Sequence, residues 1–265
     1  MLRKLTLFIS NIMEKPLPTD EVFANRYKVL EYLGSGSYGH SYLVFDFLSK
    51  QNKVLKSLRY HKRITHSGRK GFELEKELLR SIKHPGFPKY FEGGTFKSIP
   101  YYTMEFINGK NFEQLIFNEG KKITETEAFK FADELLQYIE FLHIQNIIHR
   151  DIRIPNVIFD GTRIRLIDLG LGRYLTKKDR YLEKKNEDVR KQFNYQADFY
   201  GLGHFLLFLL YSNFTFDDDR KEKSWEEELD ISVEAKQIIR RLLQIDSAYE
   251  QCAQIRADLK KFHLI

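Results

Sequence analysis

The chain has 265 residues, 42% of them hydrophobic and 30% charged, with a formal net charge of +6. Those totals fit a globular protein with a sizeable core in one or two domains, and the charge is too mild for this length to point to nucleic acid. The one cysteine, Cys252, excludes an internal disulfide framework and a cysteine-based zinc site, and it points to the cytoplasm.

In chain order, a leader over 1–25 comes first. Arg3 and Lys4 precede a short apolar stretch interrupted by Thr6, Ser10 and Asn11, and no small-residue cleavage pattern follows. A helix packed on the domain or a frayed leader fits this segment. Peripheral membrane contact through residues 1–14 is the alternative. Pro16 and Pro18 then separate the leader from a domain over 26–265.

The first part of that domain, 26–106, reads as β-rich. Short β-branched or aromatic runs predict strands over 27–33, 41–45, 53–58, 90–96 and 101–106, with one helix over 69–82. From residue 110 to 265 the pattern turns helical. Thr124 followed by Glu127 predicts a capping box. The apolar residues at 128, 131, 132, 135, 139 and 142 then keep a helical period. Two short strands, 157–159 and 164–168, flank a "DGT" turn. An irregular stretch near 172–195 follows, and then the most apolar run, 199–214. That run is too short to span a membrane and reads as a core helix. The fold class expected is α+β, a small antiparallel β-rich lobe followed by a larger helical one.

Gly34, Gly36 and Gly39 have the G-x-G-x-x-G spacing. In a dinucleotide fold these glycines open a helix. Here "SYLVFD" follows, which is strand-like, so the glycines join two antiparallel strands. Such a hairpin can lie over phosphates with its backbone N–H groups; a flexible hairpin tip has the same sequence. Lys56 sits on the next strand and needs an anion. Glu75 shares a helix face with Phe72, Leu79 and Ile82, where a carboxylate is costly unless paired. Lys56 is the evident partner; a Glu75 that borders solvent is the alternative. Further on, Asp151 and Asn156 lie five apart in a loop, and Asp168 ends a strand ahead of Gly170. Oxygen ligands of this kind suit a hard cation.

A glycine loop, a strand lysine, a helical glutamate, H-R-D-x-x-x-x-N over 149–156 and D-x-G over 168–170, in that order, form a specific set. In this set the sequence resembles the protein kinase family over about residues 26–263, and is most similar to bacterial serine/threonine-type members. The resemblance implies ATP and Mg²⁺ as cofactors and a protein hydroxyl as acceptor. It implies that Gly34, Ser35, Gly36, Ser37, Tyr38 and Gly39 cover the phosphates, with Lys56 on the α- and β-phosphates, held by Glu75. It implies that Asp151 orients the attacking hydroxyl, that Arg153 faces the γ-phosphate, and that Asn156 and Asp168 hold Mg²⁺. Adenine would lie against Met104, Glu105 and Ile107 at the hinge, under Ser41 and Val54 and over Ile158. Leu79, Tyr90, His149, Leu169 and Asp198 match an apolar column linking the lobes. Asp198 would also brace the H-R-D loop, a role compatible with a simple helix N-cap.

Several positions depart from the family pattern. Ser41 replaces the usual valine, Val54 the usual alanine, Leu169 the usual phenylalanine and Arg153 the usual lysine. No A-P-E follows Asp168, and Glu250 stands where its arginine partner would be, so the segment that receives the substrate is expected to be remodelled. Between 173 and 191 there are eight basic residues and four acidic ones. This segment either receives an acidic or phosphorylated partner or is a solvated loop. Tyr174, Thr176 and Tyr181 are candidate autophosphorylation sites, with Arg150 as the phosphate acceptor. Two other readings stand beside the protein kinase: a small-molecule kinase without a peptide platform, and a non-catalytic kinase-like binding module. The second predicts loss of Lys56, Asp151, Asn156 or Asp168, and all four are present.

Overall fold

The computed structural model describes residues 15–176, 189, 192–214 and 223–263. The chain forms two compact units. One runs up to Asn108 and includes Asp168–Leu171; the other comprises Gly109–Ile167 and the chain from Gly172 onward. Residues 1–14, most of the 173–191 basic segment and Tyr181 lie outside the described residues.

The first unit is a six-stranded antiparallel sheet with a helix. β1 (Val22–Phe23), β2 (Tyr27–Ser35), β3 (Gly39–Asp46), β4 (Gln51–Leu58), β5 (Tyr90–Phe96) and β6 (Ile99–Glu105) pair in the order β1-β2-β3-β4-β6-β5. The five strands expected are all present. Their alternation sorts side chains onto two faces. On one face Tyr27, Val29, Tyr42, Val44 and Leu55 form a core with Phe23, closed by Phe96 and Tyr101. On the other, register places Ser41, Lys56 and Tyr102 in one cross-strand row, and Leu43, Val54 and Met104 in the next. α1 (Tyr60–Arg63) leads to α2 (His66–Ser81). The latter starts three residues earlier than its apolar period indicates, because the Thr65 side chain accepts the Gly68 N–H at 3.1 Å and caps the helix.

A charged cluster anchors one end of this sheet. Asp46 is fully buried and takes Arg26 at 2.7 Å, Lys53 at 2.6 Å and the Ser49 hydroxyl at 2.8 Å. The Arg26 guanidinium, foremost among these donors and against the effect of burial, holds the Asp46 carboxyl far below the usual carboxylate range.

The second unit is mostly helical. β7 (Lys110–Asn111) and a π-turn over Gln114–Asn118 precede α3 (Glu125–Ile144), which opens with the expected Thr124–Glu127 capping box. Phe129, Leu136, Tyr138 and His143 are buried as well as the predicted face, so α3 is covered on more than one side. β8 (Ile147–Ile148), a 3₁₀ turn over Ile154–Asn156, β9 (Val157–Phe159), β10 (Ile164–Leu166) and β11 (Arg173–Tyr174) follow. β10 ends at Leu166, so Asp168 lies beyond the strand, in the left-handed region at φ 63°. α4 (Gln196–Tyr211) is the apolar core helix, set three residues earlier than its hydrophobic run. The Asn194 side chain accepts the Ala197 N–H at 3.2 Å and starts it, and the Ser212 hydroxyl donates to the Leu209 carbonyl at its end. α5 (Trp225–Glu228), α6 (Val233–Leu242) and α7 (Cys252–His263) complete the unit. No helix among the described residues is long and apolar enough to cross a membrane.

Removing one member of a buried charge cluster strands the others. Asp46→Ala is expected to cost about 3–5 kcal/mol, against about 1 kcal/mol for Thr124→Ala at the helix cap. The shift of the urea midpoint in each variant measures the difference.

Candidate active site

Lys56 on β4 and Glu75 on α2 are both 3% exposed and form a direct ion pair. Glu75 therefore does not border solvent. Asp168 Oδ1 also lies 3.2 Å from the Lys56 ammonium, and the Tyr102 hydroxyl donates to Glu75 Oε1 at 2.9 Å. Burial would push the Lys56 ammonium toward neutrality, but the carboxylates of Glu75 and Asp168 outweigh it and raise its pKa. For Glu75 burial dominates and raises the carboxyl, with Lys56 opposing it. Glu75 Oε2 is buried and has no hydrogen-bond partner among the described residues. Tyr102 is the residue that sequence reasoning missed. Its place depends on the β4–β6 register, which sets it beside Lys56 and has no local signal.

The glycine segment is a hairpin, with Ser35 paired to His40 and Gly36 N–H donating to Gly39 O at 2.9 Å. This excludes the helix that a dinucleotide fold requires. A Cβ at Gly36 would stand 3.3 Å from Asp168 Oδ2 and 3.5 Å from the Lys56 ammonium, so the backbone of the loop comes down directly on the charged cluster. Ser35 and Ser37 are exposed. The Tyr38 ring lies against Gly71 on α2, in space that any Cβ there would occupy, and Lys62 stacks on that ring at 5.3 Å. Ser41, Val54 and Met104 share the sheet face of Lys56. Glu105 donates its N–H to Lys89 O at 2.8 Å, and Ile107 is buried two residues on.

Asp151, Arg153, Asn156 and Ile158 belong to the second unit. Asn156, 5% exposed, donates from Nδ2 to Asp151 O at 2.8 Å and to Asp151 Oδ2 at 2.9 Å. That orientation turns the amide oxygen away as the end able to meet a cation. Arg153 Nε lies 3.1 Å from Asp151 Oδ1. Ile158 lies on β9, paired with Asn111 and Arg165.

Asp198 organises this loop. It is not the N-cap of α4 but lies within its first turn, and it is fully buried. Its carboxylate accepts the backbone N–H of His149 at 3.0 Å and of Arg150 at 2.7 Å, the latter residue in the left-handed region at φ 65°. The brace expected for Asp198 is thus in place. His143 Nε2 is 2.8 Å from Asp198 Oδ2, and since a carboxylate can only accept, Nε2 carries the proton. The Cys252 Sγ lies 3.7 Å from Nδ1. Burial pushes that thiol up to about 12, so it stays protonated. Burial would raise the Asp198 carboxyl, but the bond from His143 and the backbone donors hold it below its ordinary 3.8.

Of the remaining candidates, Tyr174 is paired in β11 and 39% exposed, and Thr176 is exposed. The Arg150 guanidinium stacks on Phe193 at 4.4 Å. No group of three or more His, Cys, Asp or Glu that could hold a metal occurs among the described residues.

A bilobal α+β fold with a strand lysine on a helical glutamate, and an aspartate-braced H-R-D loop, defines a protein kinase. The model of the protein kinase domain matches residues 27–263, and the chain belongs to that family. It is 38% identical over 97% of its length to YbdM of Bacillus subtilis strain 168, named a probable serine/threonine-protein kinase, and covers 97% of that protein. It is 27% identical over 75% of its length to PknB of Lactococcus lactis, named likewise, but covers only 34% of that longer protein. In fold it is similar to the crystal structure of the PknI kinase domain of Mycobacterium tuberculosis, with a TM-score of 0.70 at 18% identity, covering 93% of this chain and 99% of that one.

Because the folded pKa of Asp198 is lowered, its stabilising effect is complete above about pH 4 and is lost as pH falls through the folded value. Asp198→Asn is expected to be less stable than the parent at pH 7, and the gap is expected to close on acidification below about pH 4. Denaturant midpoints taken from pH 7 down to pH 3 check this.

Proposed function

We propose that the chain is an ATP- and Mg²⁺-dependent serine/threonine protein kinase, with a kinase domain over 26–265 behind a leader of 1–25. The observation that carries the reading is the Lys56–Glu75–Asp168 cluster beneath Gly36. The residues suit the groups they would hold. A side chain at 36 would fill the space above the Lys56 ammonium, and glycine leaves it for a phosphate. Two carboxyl groups share one ammonium there, which leaves oxygen donors for a hard cation, and Mg²⁺ needs only one or two protein carboxylates beside substrate phosphates.

Lys56, kept charged by its two carboxylates, binds phosphate oxygens, and Glu75 with Tyr102 fixes where the ammonium points. The glycine hairpin offers N–H groups without side-chain obstruction. Asn156 and Asp168 would hold Mg²⁺, which would supply positive charge to offset that of the phosphate oxygens. Asp151, held by Asn156, orients an acceptor hydroxyl and takes its proton, while Arg153 pairs with Asp151 and lies within reach of transferred charge. Met104, Glu105, Ile107, Ser41, Val54 and Ile158 are assigned to the adenine. Cytoplasmic action accords with the single buried thiol.

Transfer of label from ATP with Mg²⁺ to a generic basic protein tests the assignment. The parent is expected to label itself or the acceptor, and Asp151→Ala and Asp168→Ala are each expected to lower the rate at least about 100-fold. ATP binding without labelling of any protein would count for a small-molecule acceptor or a binding module instead.

A further inference from the structure

Asp151 stands on the wall of a cavity of about 330 Å³ that lies wholly within the second unit. One face of α4 builds much of that wall: Ala197, Gly201, His204, Phe205 and Phe208 recur at helical spacing. The small residues come first and make the hollow. A Cβ on Gly201 would come within 2.9 Å of Ile152, so glycine lets the residue after Asp151 seat against the helix. The aromatic residues come last. Phe205 is buried in the core, but Phe208 is 45% exposed at the cavity. Phe117, from the π-turn, is the other exposed ring on the same wall, at 65%.

Open aromatic rings gathered at a concavity mark a binding surface. What it binds follows from what adjoins it. The wall is continuous with Asp151, so a chain that presents a hydroxyl to that carboxylate runs along it. Its floor is apolar, with Ile152 and Ile154 buried. The wall carries two carboxylates, Glu113 and Asp151, and two cations, Arg150 and Arg153, so its charges offset one another, and a basic side chain entering there would lose water against the rings.

We propose that this cavity receives one bulky aliphatic or aromatic side chain of the acceptor protein, at a fixed spacing from the hydroxyl, and that Phe117 and Phe208 set this preference. The inference rests on the reading of the chain as a protein kinase. It adds the class of substrate: segments with a large apolar residue near the serine or threonine.

The test uses the full chain, labelled ATP with Mg²⁺, and serine peptides varied one position at a time around the acceptor. At one position Leu, Met or Phe is expected to raise kcat/KM about 10-fold or more over Ala. Phe208→Glu is expected to abolish that preference and favour Lys or Arg there. Phe117→Ala, at an exposed ring, is expected to weaken the preference, read as a fall in the ratio of kcat/KM for the Leu peptide to that for the Ala peptide. Equal use of all peptides by an active parent overturns the proposal and leaves the kinase reading standing. An unchanged preference in both variants does the same. So does a dimer that Phe208→Glu dissociates, with no peptide preference, since the cavity then has a second copy as its occupant. A parent that labels no protein at all overturns the kinase reading, and this inference with it.

Discussion

A lysine and a glutamate, both almost wholly out of water, set the terms for the first unit. Taking two such charges from solvent costs several kcal/mol each unless geometry and further hydrogen bonds offset it. The unit meets that cost from three directions: β4 carries Lys56, α2 carries Glu75, and β6 brings Tyr102 to the carboxylate. Neither β4 nor α2 can shift alone without parting Lys56 from Glu75, and a shift of β6 would take the Tyr102 hydroxyl from the carboxylate. The Asp168–Leu171 segment is drawn into the same unit, with Asp168 within reach of the ammonium. The pair thus specifies one arrangement of strand, helix and returning segment more than it adds stability, since an apolar pair of the same size would pack at lower cost.

The second unit solves a different problem with a single carboxylate. The H-R-D loop, between short strands, has backbone N–H groups with no ladder to join. Asp198 takes two of them, and its own position is held by His143, whose ring is stacked on Tyr195 at 4.2 Å and approached by Cys252 from α7. Three helices, α3, α4 and α7, therefore converge on the loop that presents Asp151. The loop is tied to α4 at His149 and Arg150, the residues just before Asp151, although it has little regular structure of its own.

Much of this was legible in the residues. Period-2 runs marked the five strands, the Thr124–Glu127 box marked the start of α3, and the misplaced Glu75 on an apolar face announced its pairing with Lys56. The illegible parts share a cause, which is that they depend on contacts distant in sequence. Tyr102 meets Glu75 only through the pairing of β4 with β6. His143 looked like one more residue on a buried helix until α4 brought Asp198 against it. Asp198 itself reads as a helix cap because the side chain that starts α4, Asn194, lies outside the apolar run. Composition likewise gave no hint that Phe117 and Phe208 would be left open, and Phe208 sits in the 199–214 run that reads as a core helix.

The ring of Tyr38 lying on Gly71 has a consequence for how the glycine hairpin and α2 behave. Gly71 and Glu75 are one helical turn apart on α2, and Tyr38 is at the tip of the glycine hairpin. The tip also gives its Tyr38 carbonyl to the Arg59 N–H, just ahead of α1. A hairpin of small residues would ordinarily wander independently of its surroundings. Here its fluctuations are geared to those of the helix: rotation of α2 that withdraws Glu75 from Lys56 also removes the seat of the ring, and lifting of the hairpin exposes bare backbone on α2 to water. Lifting the hairpin and uncoupling Lys56 from Glu75 are one motion, not two.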